Sequence, residues 1–273
     1  MKTNDLLELA GDPRFIEGIY NYCDRWCERC AFTARCLLYA QEQADGNDPD
    51  ANDINNEAFW EKLHSIFQQT SEMLTEMARE RGIDLNSLDL EEAGLREQRL
   101  QEKTESHELS RASEHYARMV NQWFDSEYPK IEQEFVAKEG DLPLVDFDLQ
   151  ERLERVDDAI SIIRWYQFQI AVKIMRGLMR ADKDDEDESD EESDSEGIRQ
   201  KDSDGSFKVA LIGMDRSIAA WGRLKEEFPA QADTILPLLV HIEQLRRAAE
   251  HEFPGARTFV RPGFDEAGGS FVS

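Results

Sequence analysis

Between Asp148 and Arg180 apolar side chains return every three or four residues without a break: Leu149, Leu153, Val156, Ile160, Ile163, Ile170, Ile174 and Leu178, widened by Trp165 and Tyr166. That period lays them along one side of an α-helix. A helix so long needs neighbours to cover its stripe, and the rest of the chain offers more helices. Trp60, Leu63, Phe67, Leu74 and Met77 define one from Glu57 to Arg81, stopped at Gly82. Leu109, Ala112, Tyr116, Met119, Val120, Trp123, Ile131 and Phe135 define another from Arg96 to Lys138, kinked or split at Pro129. Two more are predicted over Phe207–Phe228 and Ala230–Glu252, divided at Pro229. Alternating runs rich in Val, Ile and Thr, the mark of strands, are almost absent.

The expected fold is therefore all-α, an antiparallel helical bundle of five to six long helices with an acidic disordered insertion. The domain reading is an N-terminal helix starting near Pro13 with a cysteine cluster over 1–43, and a bundle core over 57–181. An acidic linker follows over 182–205, then two helices completing the bundle over 206–253 and an extended tail over 254–273. Within the linker, Asp182–Glu196 carries eleven acids and one lysine, too little apolar surface to fold.

Charge bounds the partners. The net charge is -27, from 59 acidic and 32 basic residues. Such a chain repels nucleic acid phosphates and anionic lipid surfaces, so the expected partner is a basic protein met through the acidic linker, with no nucleic acid and no membrane. No apolar run approaches the roughly 18–20 residues of a membrane span or follows a basic start as in a secretory signal. The expected compartment is the cytoplasm.

All four cysteines fall in one segment, YCDRWCERCAFTARC: Cys23, Cys27, Cys30 and Cys36. In a reducing compartment, clustered thiols suggest metal ligation before disulfides. The C-x3-C-x2-C-x5-C spacing favours an iron–sulfur cluster, with zinc as the alternative. Cys23, Cys27 and Cys30 would share one helical face. Cys36 would lie about 220° from Cys23 around a straight helix, so a common centre requires a bend after Cys30, with Thr33 capping the restart. Arg25, Arg29 and Arg35 would stabilise the thiolates. The readings compared are a metal protein with a structural or redox cluster, a zinc-stapled interaction module, and an enzyme with its site inside the bundle.

The first three cysteines resemble the C-x3-C-x2-C signature of radical S-adenosylmethionine enzymes over eight residues. That resemblance implies a βα barrel, for which this chain has no alternating strands. It also departs at Arg29, where the family usually has an aromatic residue, and at Cys36, which would fill the iron position left open for the cofactor.

Other chemistry-bearing groups are sparse. Glu61 and His64 form a single E-x-x-H pair with Glu57 one turn before, whereas a di-iron bundle needs two such pairs. His107, Glu108, Glu114, His115, His241, Glu250 and His251 lack the matching spacing. Glu127 and Gln167 interrupt apolar stripes, Glu127 beside Pro129 reading as a helix end. Asp157 and Arg164 read as a rim ion pair, and the segment Arg257–Phe264 as a tail able to dock on the bundle or fray.

Overall fold

The computed structural model describes residues 12–44, 49–87, 89–131, 147–190 and 201–265. The fold is all-α, with no strand among these residues. Its helices are α1 (Leu37–Ala44), α2 (Pro49–Asn52), α3 (Glu57–Glu80), α4 (Leu90–Ser106), α5 (Glu108–Ser126), α6 (Phe147–Asp190), α7 (Asp202–Glu227) and α8 (Ala232–Glu252). The chain divides into two compact units, Met1–Gln98 with Pro262–Ser273, and Arg99–Arg261.

The second unit is a four-helix bundle of α5, α6, α7 and α8. Its register is written in its polar contacts. Arg152 meets Glu227 at 2.9 Å and Asp158 meets Arg223 at 3.3 Å, while Arg180 meets Asp202 at 3.0 Å, so numbers rise along α6 as they fall along α7. Likewise His107 at the head of α5 faces Glu252, and Trp123 near its end donates to Thr234. Asn121 to Gln167 with Phe124 to Arg164, and Asp215 to Arg246 with Phe207 to Phe253, make the other two pairs antiparallel. The core between them is aromatic and branched: Tyr116, Ile163, Tyr166, Ile170, Ile174, Phe207, Leu211, Met214, Trp221 and Ile235 are all 0–1% exposed. These are the α6 stripe positions read from the sequence and their partners.

The helix expected over 96–138 is divided at His107 and again at Glu127, beside Pro129 as the sequence implies, with helix resuming over 128–131; residues 132–138 lie outside the described residues. His107 adopts an extended backbone and its Nδ1 accepts from the Leu109 N–H at 3.2 Å, serving as N-cap of α5. An imidazole nitrogen here does what Asn or Asp usually does, which residue-type rules do not anticipate. The helix α5 ends at Ser126, with Glu127 as its C-cap and ion-paired to Lys130, as a helix end. The expected disordered insertion over 182–205 is corrected at both ends: α6 runs on through the acidic residues to Asp190, and α7 begins at Asp202 with Ser203 and Gly205 buried; 191–200 lies outside the described residues.

In the first unit, α3 is bounded as the sequence implied. The Asn56 side chain caps its start by accepting from Ala58 N–H at 3.0 Å. Gly82 closes it at φ 68°, with Ile83 N–H to Ala78 O at 2.8 Å and Gly82 N–H to Arg79 O at 3.2 Å. This is a left-handed C-terminal closure that glycine adopts without strain.

Candidate functional site

Residues 12–36 do not form the helix expected from Pro13. They fold into three separate 3₁₀ turns, Ile19–Tyr22, Cys27–Arg29 and Thr33–Arg35, before α1 begins. Two residues of this segment are left-handed. Gly18 at φ 70° sets the first, and Arg25 at φ 58° reverses the chain between Cys23 and Cys27. A non-glycine residue there costs energy, offset by neighbours. Asp24 Oδ1 accepts from Trp26 N–H at 3.2 Å, and the Arg25 guanidinium is held by Glu42 at 2.6 Å. Phe32 occupies the cap position of the third turn; Thr33 makes no capping bond.

All four cysteines border one small cavity of about 20 Å³, walled also by Ile19, Tyr20, Trp26, Phe32, Tyr39 and Phe264. By that measure it has room for about a single water. Phe264 closes it edge-on against Phe32, ring centroids 5.0 Å apart, so the tail does reach the cysteine segment.

The metal-binding expectation does not survive this geometry. Among the described residues no group of three or more His, Cys, Asp or Glu side chains is arranged to hold a metal ion. The bend expected after Cys30 is present, but it belongs to a chain reversed at several points rather than to two helices meeting at a centre. The sulfurs turn to their own backbone: Cys23 Sγ donates to Tyr20 O at 3.5 Å, and Cys30 Sγ accepts from Phe32 N–H at 3.4 Å. The arginines do not gather round thiolates either. Arg29 lies over the Trp26 ring at 4.0 Å, and Arg25 is engaged with Glu42. Burial pushes the Cys27 thiol above its ordinary range, and Glu42 adds to this more than Arg25 relieves. The resemblance to the radical enzymes stays confined to its eight residues.

The scattered histidines and carboxylates do not converge. His64 is exposed on α3. His115 and His241 meet edge to face at 5.1 Å, and His241 Nε2 is 2.8 Å from Ala112 O, a link between α5 and α8. Gln167 is buried with its amide donating to Asn121 at 3.2 Å and its carbonyl oxygen unpartnered. Arg164 stacks over Phe124 at 3.7 Å instead of forming the expected rim pair with Asp157.

The feature misassigned from the sequence is α3 itself. The reading of 57–181 as bundle core puts its apolar stripe inside, yet Trp60 is 54% exposed, Phe67 66% and Leu74 58%, with Ile66 and Met77 also exposed. Trp60, Phe67 and Leu74 recur every seven residues, with Leu63 and Met77 each three residues after one of them and Thr70 at the remaining such position, a heptad spacing suited to a helix–helix seam. Phe59, Ile66 and Met73 widen this stripe to the breadth of a core-facing helix, so the sequence carries no sign of its exposure. Glu57, Glu61, Glu72, Glu76 and Glu80 lie along the same helix against Lys62 and Arg79. No helix of the described residues is long and apolar enough to cross a membrane.

No family model, no curated protein and no solved structure matches this chain. The class defined here is an all-α protein whose second unit is a four-helix bundle and whose first unit carries a helix with an exposed apolar face.

Proposed function

We propose that this protein is an interaction module whose α3 docks a basic amphipathic helix of another protein. The observation that carries this is the exposed seam of Trp60, Phe67 and Leu74. Large apolar groups aligned on a free surface mark a docking face, and a seven-residue repeat suits a helical partner. The charge of that partner follows from the surroundings. The chain carries -27 and α3 has five glutamates against two cations, so a cationic helix is attracted while a second copy of this acidic chain is repelled.

The probe is a synthetic three-heptad peptide with leucine at the seam positions and lysine elsewhere, titrated against the full chain by fluorescence anisotropy. Controls are a scrambled peptide of equal charge and a glutamate version. Removing one largely exposed Phe or Leu from a buried seam costs about 1–2 kcal/mol, or roughly 5–30-fold in affinity. Phe67→Glu and Leu74→Glu should each weaken the lysine peptide by at least that factor, with helical content of the protein unchanged. Equal binding of the scrambled peptide, or indifference to both substitutions, overturns the reading. A wild-type dimer that Phe67→Glu converts to monomer would replace it with self-association.

A further inference from the structure

The cysteine segment offers chemistry that needs no metal. Cys27 begins a 3₁₀ turn and Cys30 closes it, the Cys30 N–H donating to Cys27 O at 3.2 Å. Turns of this kind bring their first and fourth Cα atoms within about 7 Å, close to the roughly 4.4–6.8 Å that a disulfide spans. Both residues are half-buried rather than sealed, and both border the same cavity. The other two cysteines are placed differently. Cys23 lies across the reversal at Arg25, near enough to raise the Cys27 thiol but outside the Cys27–Cys30 turn, and Cys36 follows Cys30 by a turn of its own.

We propose that Cys27 and Cys30 form a redox-active dithiol, oxidised to an intramolecular disulfide by exchange with a small-molecule disulfide of the glutathione type. One cysteine thiolate attacks a sulfur of the small disulfide, breaking its S–S bond and expelling one thiolate. The second cysteine thiolate then attacks the protein sulfur of the mixed disulfide, forming the Cys27–Cys30 bond and expelling the other. Two electrons pass from the protein to the small disulfide, and the protons lost by the two cysteines are taken up by the two departing thiolates. Since burial and Glu42 keep Cys27 protonated above its ordinary range, exchange is slow at neutral pH and quickens as pH rises.

Trypsin separates all four cysteines, at Arg25, Arg29 and Arg35, so connectivity can be read directly. Reduced full-length protein is exposed to oxidised glutathione, free thiols are alkylated, and the digest is analysed by mass spectrometry. The expected product joins Trp26–Arg29 to Cys30–Arg35, with Cys23 and Cys36 carrying the alkyl label. The same treatment in urea should give a mixture of pairings. Cys27→Ser should stop at a glutathione adduct on Cys30, although the wild-type map decides the matter even where that variant is unstable. Four alkylated cysteines after prolonged exposure, a different native pairing, or the same mixture folded and unfolded overturns the proposal.

Discussion

Alanine at Gly177 and at Gly222 should move stability in opposite directions. Both glycines are helical, Gly177 in α6 and Gly222 in α7. In a free helix either substitution gains about 0.8–1 kcal/mol, because glycine loses more backbone entropy on folding. At Gly222 nothing lies within 4 Å of an added methyl, so that gain should appear nearly whole. At Gly177 the methyl would lie 2.6 Å from two carbons of the Phe207 ring, where ordinary contacts are about 3.5–4.0 Å. Phe207 is fully buried and stacked on Phe253 at 3.7 Å, so the ring has nowhere to retreat. Overpacking of this kind costs about 1–3 kcal/mol. Gly177→Ala should therefore be less stable than wild type by up to about 2 kcal/mol, and less stable than Gly222→Ala by about 1–3 kcal/mol. The assay is urea unfolding followed by far-ultraviolet circular dichroism, where these differences appear as midpoint shifts at constant slope. Thermal midpoints should move by about 2–4 °C per kcal/mol for a unit of this size. Phe207→Leu, which opens space beside Gly177, should make Gly177→Ala less costly than in the parent. If Gly177→Ala is as stabilising as Gly222→Ala, the close approach of α6 and α7 is wrong.

Three further outcomes follow from the bundle and its edge. Tyr116→Phe should cost about 1–3 kcal/mol, because Trp221 Nε1–H donates to the Tyr116 hydroxyl at 2.9 Å and would be left buried without an acceptor; equilibrium unfolding reads this directly. Burial raises the Tyr116 hydroxyl from 10.0 to about 12. The native state keeps a proton that the unfolded chain releases, so wild-type stability should fall across that window, by about 1.4 kcal/mol per pH unit, more than that of Tyr116→Phe; parallel pH dependences would refute this. Arg257 is clamped by Asp215 at 2.5 Å and Glu250 at 2.6 Å, and its carbonyl accepts from Lys208. Arg257→Ala should leave the bundle midpoint within about 1 kcal/mol while hydrogen exchange at Thr258–Phe259 rises, and unchanged protection there would show that buried Phe259 alone holds the segment.

Periodicity made the fold class legible. The stripe from Leu149 to Leu178 can face a core only as a helix, Gly82 stops α3 by supplying a positive φ, and Pro229 does separate the last two helices. The candidate site was less legible. Spacing rules make Cys23–Cys36 helical and four thiols one ligand set, whereas Arg25 at φ 58° and three short turns break the segment, and among the described residues no three such side chains are arranged to hold a metal ion. Nothing in residue type announces a left-handed arginine. The cap at His107 was hidden for a similar reason, since its role depends on one ring nitrogen meeting one amide.

Local sequence thus determined which segments are helical and which side of each is apolar, because those follow from bonds and contacts a few residues apart. Tertiary structure decided what each apolar side meets. The stripes of α6 and α3 look alike in sequence, yet Ile163 and Ile170 are buried while Phe67 and Leu74 stand in solvent. Gly177 and Gly222 are likewise the same residue in the same kind of helix, told apart only by the ring that another helix brings beside one of them.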